Sequence, residues 1–346
     1  MLKIIIFVSA LLLSGISLAS PIAVAFINPG HEGDNVTGHF WSNVSKVMET
    51  AAADLNIQLS IKYAKRNHIL MKSLVKAALN GDSDYLVVVN EKASVIPLLL
   101  KEKANNKKLL FLLNGPSAEQ NAKLHQAGYQ VLGSIVPDNF QAGFTLMAEL
   151  SKKASATKAE QGVLALLGDV ATPAALDRQK GMNAFISKHA HLQLLAQVNS
   201  HWSQQDAYRI TKAWLTRAPE LTIVWAANDP MAYGALQAAL ELDRTITVGG
   251  VNWDSPIAKQ LDVSMGGHVL LGAYALVQLR AFHLNQSEIG LHRLAIFRPL
   301  QEQYWPLYEA LHGNFPKHLD FLRYINNNNR FTIKDINESI IRNEVH

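Results

Sequence analysis

The chain has 346 residues, of which 49% are apolar and 17% charged, with a formal net charge of +4 and no cysteine. Lysine and arginine are scattered without a basic tract, which argues against a nucleic-acid partner, and the missing cysteines exclude disulfides and a lipidated cysteine anchor. A chain this long can hold itself together by burial alone, across two cores.

The elements begin with a leader. Lys3 precedes an apolar run over residues 4–13 and a small-residue stretch over 14–20, the order of a secretory signal peptide. Ser17 and Ala19 supply the small residues a signal peptidase requires, so residues 1–19 are expected to be removed. An uncleaved anchor is the alternative, but about ten apolar residues fall short of the roughly 20 a spanning helix needs.

From Ile22 onward, apolar β-branched runs alternate with segments of helical period. Strands are expected over residues 22–27, 57–63, 85–89, 109–113 and 131–135, and then over 163–167, 194–198, 221–225 and 246–248. These runs lack the alternation of a half-wet sheet, so both faces are covered, as in parallel sheets with crossover helices. Asn80-Gly81 stops one helix. Thr172-Pro173, Asp229-Pro230 and Ser255-Pro256 each set a capping side chain before a proline at the first helical position. Pro137-Asp138-Asn139 opens the helix between the two series, so two open α/β lobes are expected, with a single nine-stranded sheet as the alternative. Beyond them, 326–329 is a polar run, and 333–346 reads as a terminal helix or loose extension. In such sheets ligands bind beyond the carboxyl ends of the strands.

Several segments in this order resemble the type I periplasmic binding proteins of the ribose- and sugar-binding branch. They are Phe40-Trp41, Gly168-Asp169 with Arg178-Gln179-Lys180-Gly181-Met182, Ala226-Ala227-Asn228-Asp229-Pro230-Met231-Ala232, and Gly249-Gly250-Val251-Asn252-Trp253. The resemblance covers residues 22–279. It implies two Rossmann-like lobes with parallel sheets joined by a three-segment hinge, crossing near residues 134–139, 252–253 and 266–268. The expected division is 20–135 with 268–300 as the N-terminal lobe and 136–267 as the C-terminal lobe; the lobe to which 301–346 belongs is left open.

The resemblance also implies a monomeric periplasmic solute-binding protein, not an enzyme, closing on a small carbohydrate-like ligand for an inner-membrane ABC permease. Presentation of the ligand to a membrane sensor is the alternative. Carried over residue by residue, Phe40 and Trp41 match the aromatics of the first lobe and Trp202 that of the second. Arg178 and Asn228 match the polar ligand contacts. Each has a bland alternative: core aromatics, a solvated helix arginine, a helix cap. Asn114 and Asn252 stand where the family often has acids, trading a two-oxygen acceptor for an amide that also donates. His268 replaces the usual amide at the last hinge position.

No cofactor or metal is expected. His31, Glu32 and His39, in and beside an insertion over residues 29–37, match no ligand spacing. The chain has no dinucleotide fingerprint, Walker A sequence or nucleophile elbow, and a leader stands where a related repressor would carry its DNA-binding helices.

Overall fold

The computed structural model describes residues 21–33, 38–154, 160–254, 257–285, 288–325 and 328–344. The leader, the expected Ser255-Pro256 helix start, Asp34 to Thr37 of the insertion and part of the polar run at 326–329 lie outside the described residues.

The first sheet takes β1 (Ile22–Asn28), β2 (Ile57–Tyr63), β3 (Tyr85–Val88), β4 (Lys108–Leu112) and β5 (Gln130–Pro137). Helices α1 (Phe40–Asp54), α2 (His68–Leu79), α3 (Val95–Leu99) and α4 (Ala118–Gln126) are the crossovers between them. β1, β3 and β4 are buried on both faces, and this is why their sequences read as unbroken apolar runs.

The chain then enters α5 (Asn139–Ala154), β6 (Gln161–Leu167), α6 (Pro173–Ile186), β7 (Leu192–Asn199), α7 (Gln204–Arg217), β8 (Leu221–Ala226), α8 (Asp229–Glu241), β9 (Thr247–Val251) and β10 (Val263–Gly266). It continues through α9 (Leu271–Asn285), β11 (Gly290–Leu294), β12 (Arg298–Pro299), α10 (Trp305–His312), α11 (Leu322–Ile325) and α12 (Ile333–Glu344). The strand orders are β11-β5-β4-β3-β1-β2 and β12-β10-β9-β8-β6-β7, and only the β10–β12 pair is antiparallel. Two α/β lobes therefore stand in place of the single sheet, each with its own apolar core.

The chain passes between lobes at residues 137–139 and 266–268. Asn252 and Trp253 do not form a crossing, because β9 and β10 pair in the same sheet. Trp253 is tied back to β10: its backbone N–H donates to Ser264 Oγ at 3.2 Å and its indole N–H to the Ser264 carbonyl at 3.1 Å. Its ring nevertheless packs with the first-lobe core. The further passage comes at residues 294–298, where β11 extends the first sheet and β12 the second, so the first-lobe segment ends before residue 300. After β12 the chain returns, and Leu307, Leu311, Phe321, Ile336 and Ile340 join the first-lobe core.

Helices α5 and α6 pack unusually closely, because a Cβ on Gly143 would lie 1.9 Å from the Arg178 carbonyl oxygen and one on Gly181 1.9 Å from that of Phe140. Only glycine allows this approach. It brings Arg178 against the first residue of α5.

Candidate functional site

Nearly every strand of both lobes delivers its carboxyl end, or the helix that follows, to one cleft. The cleft holds about 630 Å³ of atom-free space, part of it open solvent at the mouth. Phe40 and Trp41 come from the start of α1, Asn114 from the turn after β4, and Arg178 from the second turn of α6. Trp202 sits between β7 and α7, Asn228 follows β8, Asn252 follows β9, and His268 follows β10. All eight residues singled out from the sequence thus reach the walls of one cavity.

Aromatic surfaces face the cavity from both lobes. Phe40 and Trp41 meet edge to face with ring centroids 5.0 Å apart, and Phe40 stacks on His268 at 4.5 Å with 23° between planes. On the second-lobe side Trp202 is held in a tight turn, with left-handed backbone at both His201 (φ 52°) and Trp202 (φ 62°). Gly168 makes room for its ring: a Cβ there would lie 2.2 Å from Trp202 Cζ2.

Arg178 is buried, 5% exposed, so the solvated-helix alternative does not apply. Its Nε donates to Asn139 Oδ1 at 2.9 Å and one Nη to the Ala227 carbonyl at 2.7 Å, and the other Nη lies 3.5 Å from His268 Nε2. Burial pulls its pKa down to about 10, against the attraction of Asp229, so it stays charged at neutral pH. Burial, and then the charge of Arg178, holds His268 well below the ordinary histidine range. The imidazole is neutral.

Asn228 caps α8, its Oδ1 accepting from the Met231 N–H at 3.0 Å, while its Nδ2 lies 3.5 Å from the Trp202 carbonyl. Asp229, expected as the cap, is instead wholly buried beneath the wall. Its Oδ2 accepts from the Asp254 N–H at 2.9 Å and from Ser264 Oγ at 2.7 Å. Burial, with Asp254 nearby, pushes its pKa up to about 8; burial raises Asp254 to about 6 against the hydrogen bonds from Asn252 and His39. Asn252 is held at φ 142° and donates its Nδ2 to Asp254 Oδ2 at 3.2 Å. Thr172 also departs from its expected role: it stands before α6 but makes no capping hydrogen bond, and while the residue lines the cavity its hydroxyl is buried and without a partner among the described residues.

Arg66 and Glu91 also line the cavity and were missed. They form an ion pair at 2.8 Å across the first-lobe wall. Arg66 lies just beyond β2 and Glu91 just beyond β3, so the carboxyl-end rule, applied to every strand rather than to family positions alone, would have found both. The lobes also touch directly outside the cavity lining: Lys92 pairs with Asp169 at 3.1 Å, and Arg293 with Asp177 at 3.9 Å. Among the described residues no three His, Cys, Asp or Glu side chains gather where they could hold a metal ion, and no helix is long and apolar enough to cross a membrane.

A family model described as "Periplasmic binding protein domain" matches residues 33–262. Among solved structures, a periplasmic sugar-binding protein from Pseudomonas fluorescens superposes with a TM-score of 0.75 and 30% identity, over 83% of this chain and 89% of that one. A periplasmic solute-binding protein of an ABC transporter from Actinobacillus succinogenes, with bound D-allose, superposes with a TM-score of 0.67 and 20% identity, over 82% and 96%. Among curated proteins, a xylitol-binding protein of Mycolicibacterium smegmatis is 27% identical over 64% of this chain. The match spans 56% of that relative's own length.

Proposed function

The chain belongs to the periplasmic binding protein family, and from that membership we propose that it binds a small polyhydroxylated ligand, a sugar or polyol, in the periplasm and hands it to an ABC permease. In this reading it works as a monomer and leaves the ligand chemically unchanged. One observation carries the proposal: rings from both lobes, Phe40 and Trp41 on one side and Trp202 on the other, line a single cavity together with Asn114, Arg178, Asn228, Asn252 and His268. Sugars present C–H-rich faces to aromatic rings and hydroxyls to polar groups around the rim. Xylitol and D-allose, named for two of the similar proteins, are ligands of this kind. Asp229 Oδ2 and both oxygens of Asp254 accept from backbone, hydroxyl and amide donors, and neither carboxyl lines the cavity.

The test is a thermal-shift screen of sugars, polyols and sugar acids on the mature protein, followed by calorimetry. A ligand at a hundred times its Kd stabilises the fold by about 2.7 kcal/mol, readily seen as a rise in Tm. If no compound of these three classes raises Tm at millimolar concentration, the proposal fails.

A further inference from the structure

Resting on the reading of this cavity as a carbohydrate site, we propose that its ligand carries one carboxylate, so that the protein selects sugar acids over the matching neutral sugars and polyols. The charges on the wall come first. Among the described residues three charged side chains line the cavity: Arg66, Glu91 and Arg178. Arg66 and Glu91 neutralise each other, which leaves Arg178.

Arg178 has no ion-pair partner among the described residues; its contacts are an amide oxygen, a backbone carbonyl and a neutral imidazole nitrogen. Asp229, the carboxyl whose field reaches it, is 0% exposed, does not line the cavity, and is turned toward Asp254 and Ser264. Burial also favours the protonated form of Asp229. A buried charge without a counter-charge is costly, and an anionic ligand group removes that cost.

The hydrogen-bond inventory points the same way. A guanidinium has five N–H donors and no acceptor, and three are engaged, so two remain for the ligand. Because the guanidinium can only donate, His268 Nε2 accepts from it, and the ring proton must sit on Nδ1. That Nδ1 is buried and has no partner among the described residues. Thr172 is a residue of the cavity wall, and its buried hydroxyl is likewise without a partner among the described residues. Of these unfilled positions the two guanidinium N–H groups and the ring N–H can only donate, and the hydroxyl can donate or accept. A hydroxyl brings a donor of its own, whereas a carboxylate only accepts, through two oxygens. A phosphate monoester, with about 1.5 to 2 negative charges, would exceed the single positive charge available.

The experiment is calorimetry on the mature protein with matched pairs: D-xylonate and xylitol, D-gluconate and sorbitol, D-galacturonate and D-galactose. In the best-binding pair the acid should bind at least about tenfold more tightly, since charge-assisted hydrogen bonds are roughly twice as strong as neutral ones. In Arg178→Met that advantage should fall below about threefold while the neutral member loses less. If the neutral member binds as well or better in every pair that binds, the carboxylate assignment is overturned and the carbohydrate site stands. If no compound binds, both fall. Tighter binding of D-xylose 5-phosphate than of any acid also overturns the assignment. Should Arg178→Met fail to fold by circular dichroism, the acid-to-neutral ratio of the unmodified protein decides alone.

Discussion

Replacing Gly168 with alanine tests whether the Trp202 ring is held where the cavity needs it. The new Cβ would stand 2.2, 2.4 and 2.5 Å from Cζ2, Cη2 and Cε2 of Trp202, and ordinary contact begins near 3.4 Å. The ring must retreat by about 1.2 Å. It has little freedom to do so, because Trp202 already lies in left-handed backbone within a turn closed by the Ser203 N–H to Ser200 carbonyl bond of 2.7 Å. Forcing an extra methyl into such packing costs about 1 to 3 kcal/mol. Urea denaturation should show that loss, and calorimetry should show ligand affinity falling roughly fivefold as the stacking surface moves, an aromatic contact contributing about 1 kcal/mol. The decisive comparison is the same substitution in a Trp202→Ala background, where the methyl enters vacated space. The stability cost should then largely vanish, giving a coupling of about 1 to 3 kcal/mol between the two positions. Additive effects, or an unchanged affinity in Gly168→Ala, would show that the ring does not form the ligand wall.

Four further outcomes are expected. Asp229 titrates near pH 8 in the folded protein against 3.8 ordinarily, so the native state holds the extra proton and stability falls as pH rises from about 4 to 8; Asp229→Asn should flatten this fall between pH 6.5 and 8, and an unchanged slope would contradict the burial argument. Of the six tryptophans, Trp41 and Trp202 line the cavity, so ligand should change the intrinsic fluorescence, and the Trp41→Phe, Trp202→Phe double variant should lose most of that change. The ion pairs between the lobes, Lys92 with Asp169, Arg293 with Asp177 and Lys259 with Glu309, are partly exposed and each worth little in water; small-angle scattering should show the radius of gyration shrinking with ligand, and an identical curve would remove the hinge mechanism. Mature protein from the periplasmic fraction should begin at Ser20 by mass spectrometry, and an intact Met1 in the membrane pellet would sink the leader assignment.

The sequence by itself determined what is encoded within a few residues. Strands buried on both faces, as β1, β3 and β4 are, announce themselves as apolar runs, and glycine and proline mark helix ends through their own backbone limits. The residues that the family resemblance implied, Phe40, Trp41, Asn114, Arg178, Trp202, Asn228, Asn252 and His268, do share one cavity, at the carboxyl ends where a doubly wound sheet places ligands. What remained hidden depends on partners distant in the chain. β11 alternates exposed and half-buried residues and β12 has two residues, so neither has a local signature, and only packing assigns one to each sheet. The ring of Trp253 joins the first lobe although its backbone follows a second-lobe strand. Asp229 reads locally as a helix cap, yet Ser264, 35 residues away, draws it beneath the wall and leaves the cap to Asn228. Tertiary structure alone brings the His39 N–H to Asp254 Oδ1 across 215 residues, and it alone leaves Arg178 as the cavity charge without an ion-pair partner among the described residues, because ion pairing is set by which side chains meet and not by their order along the chain.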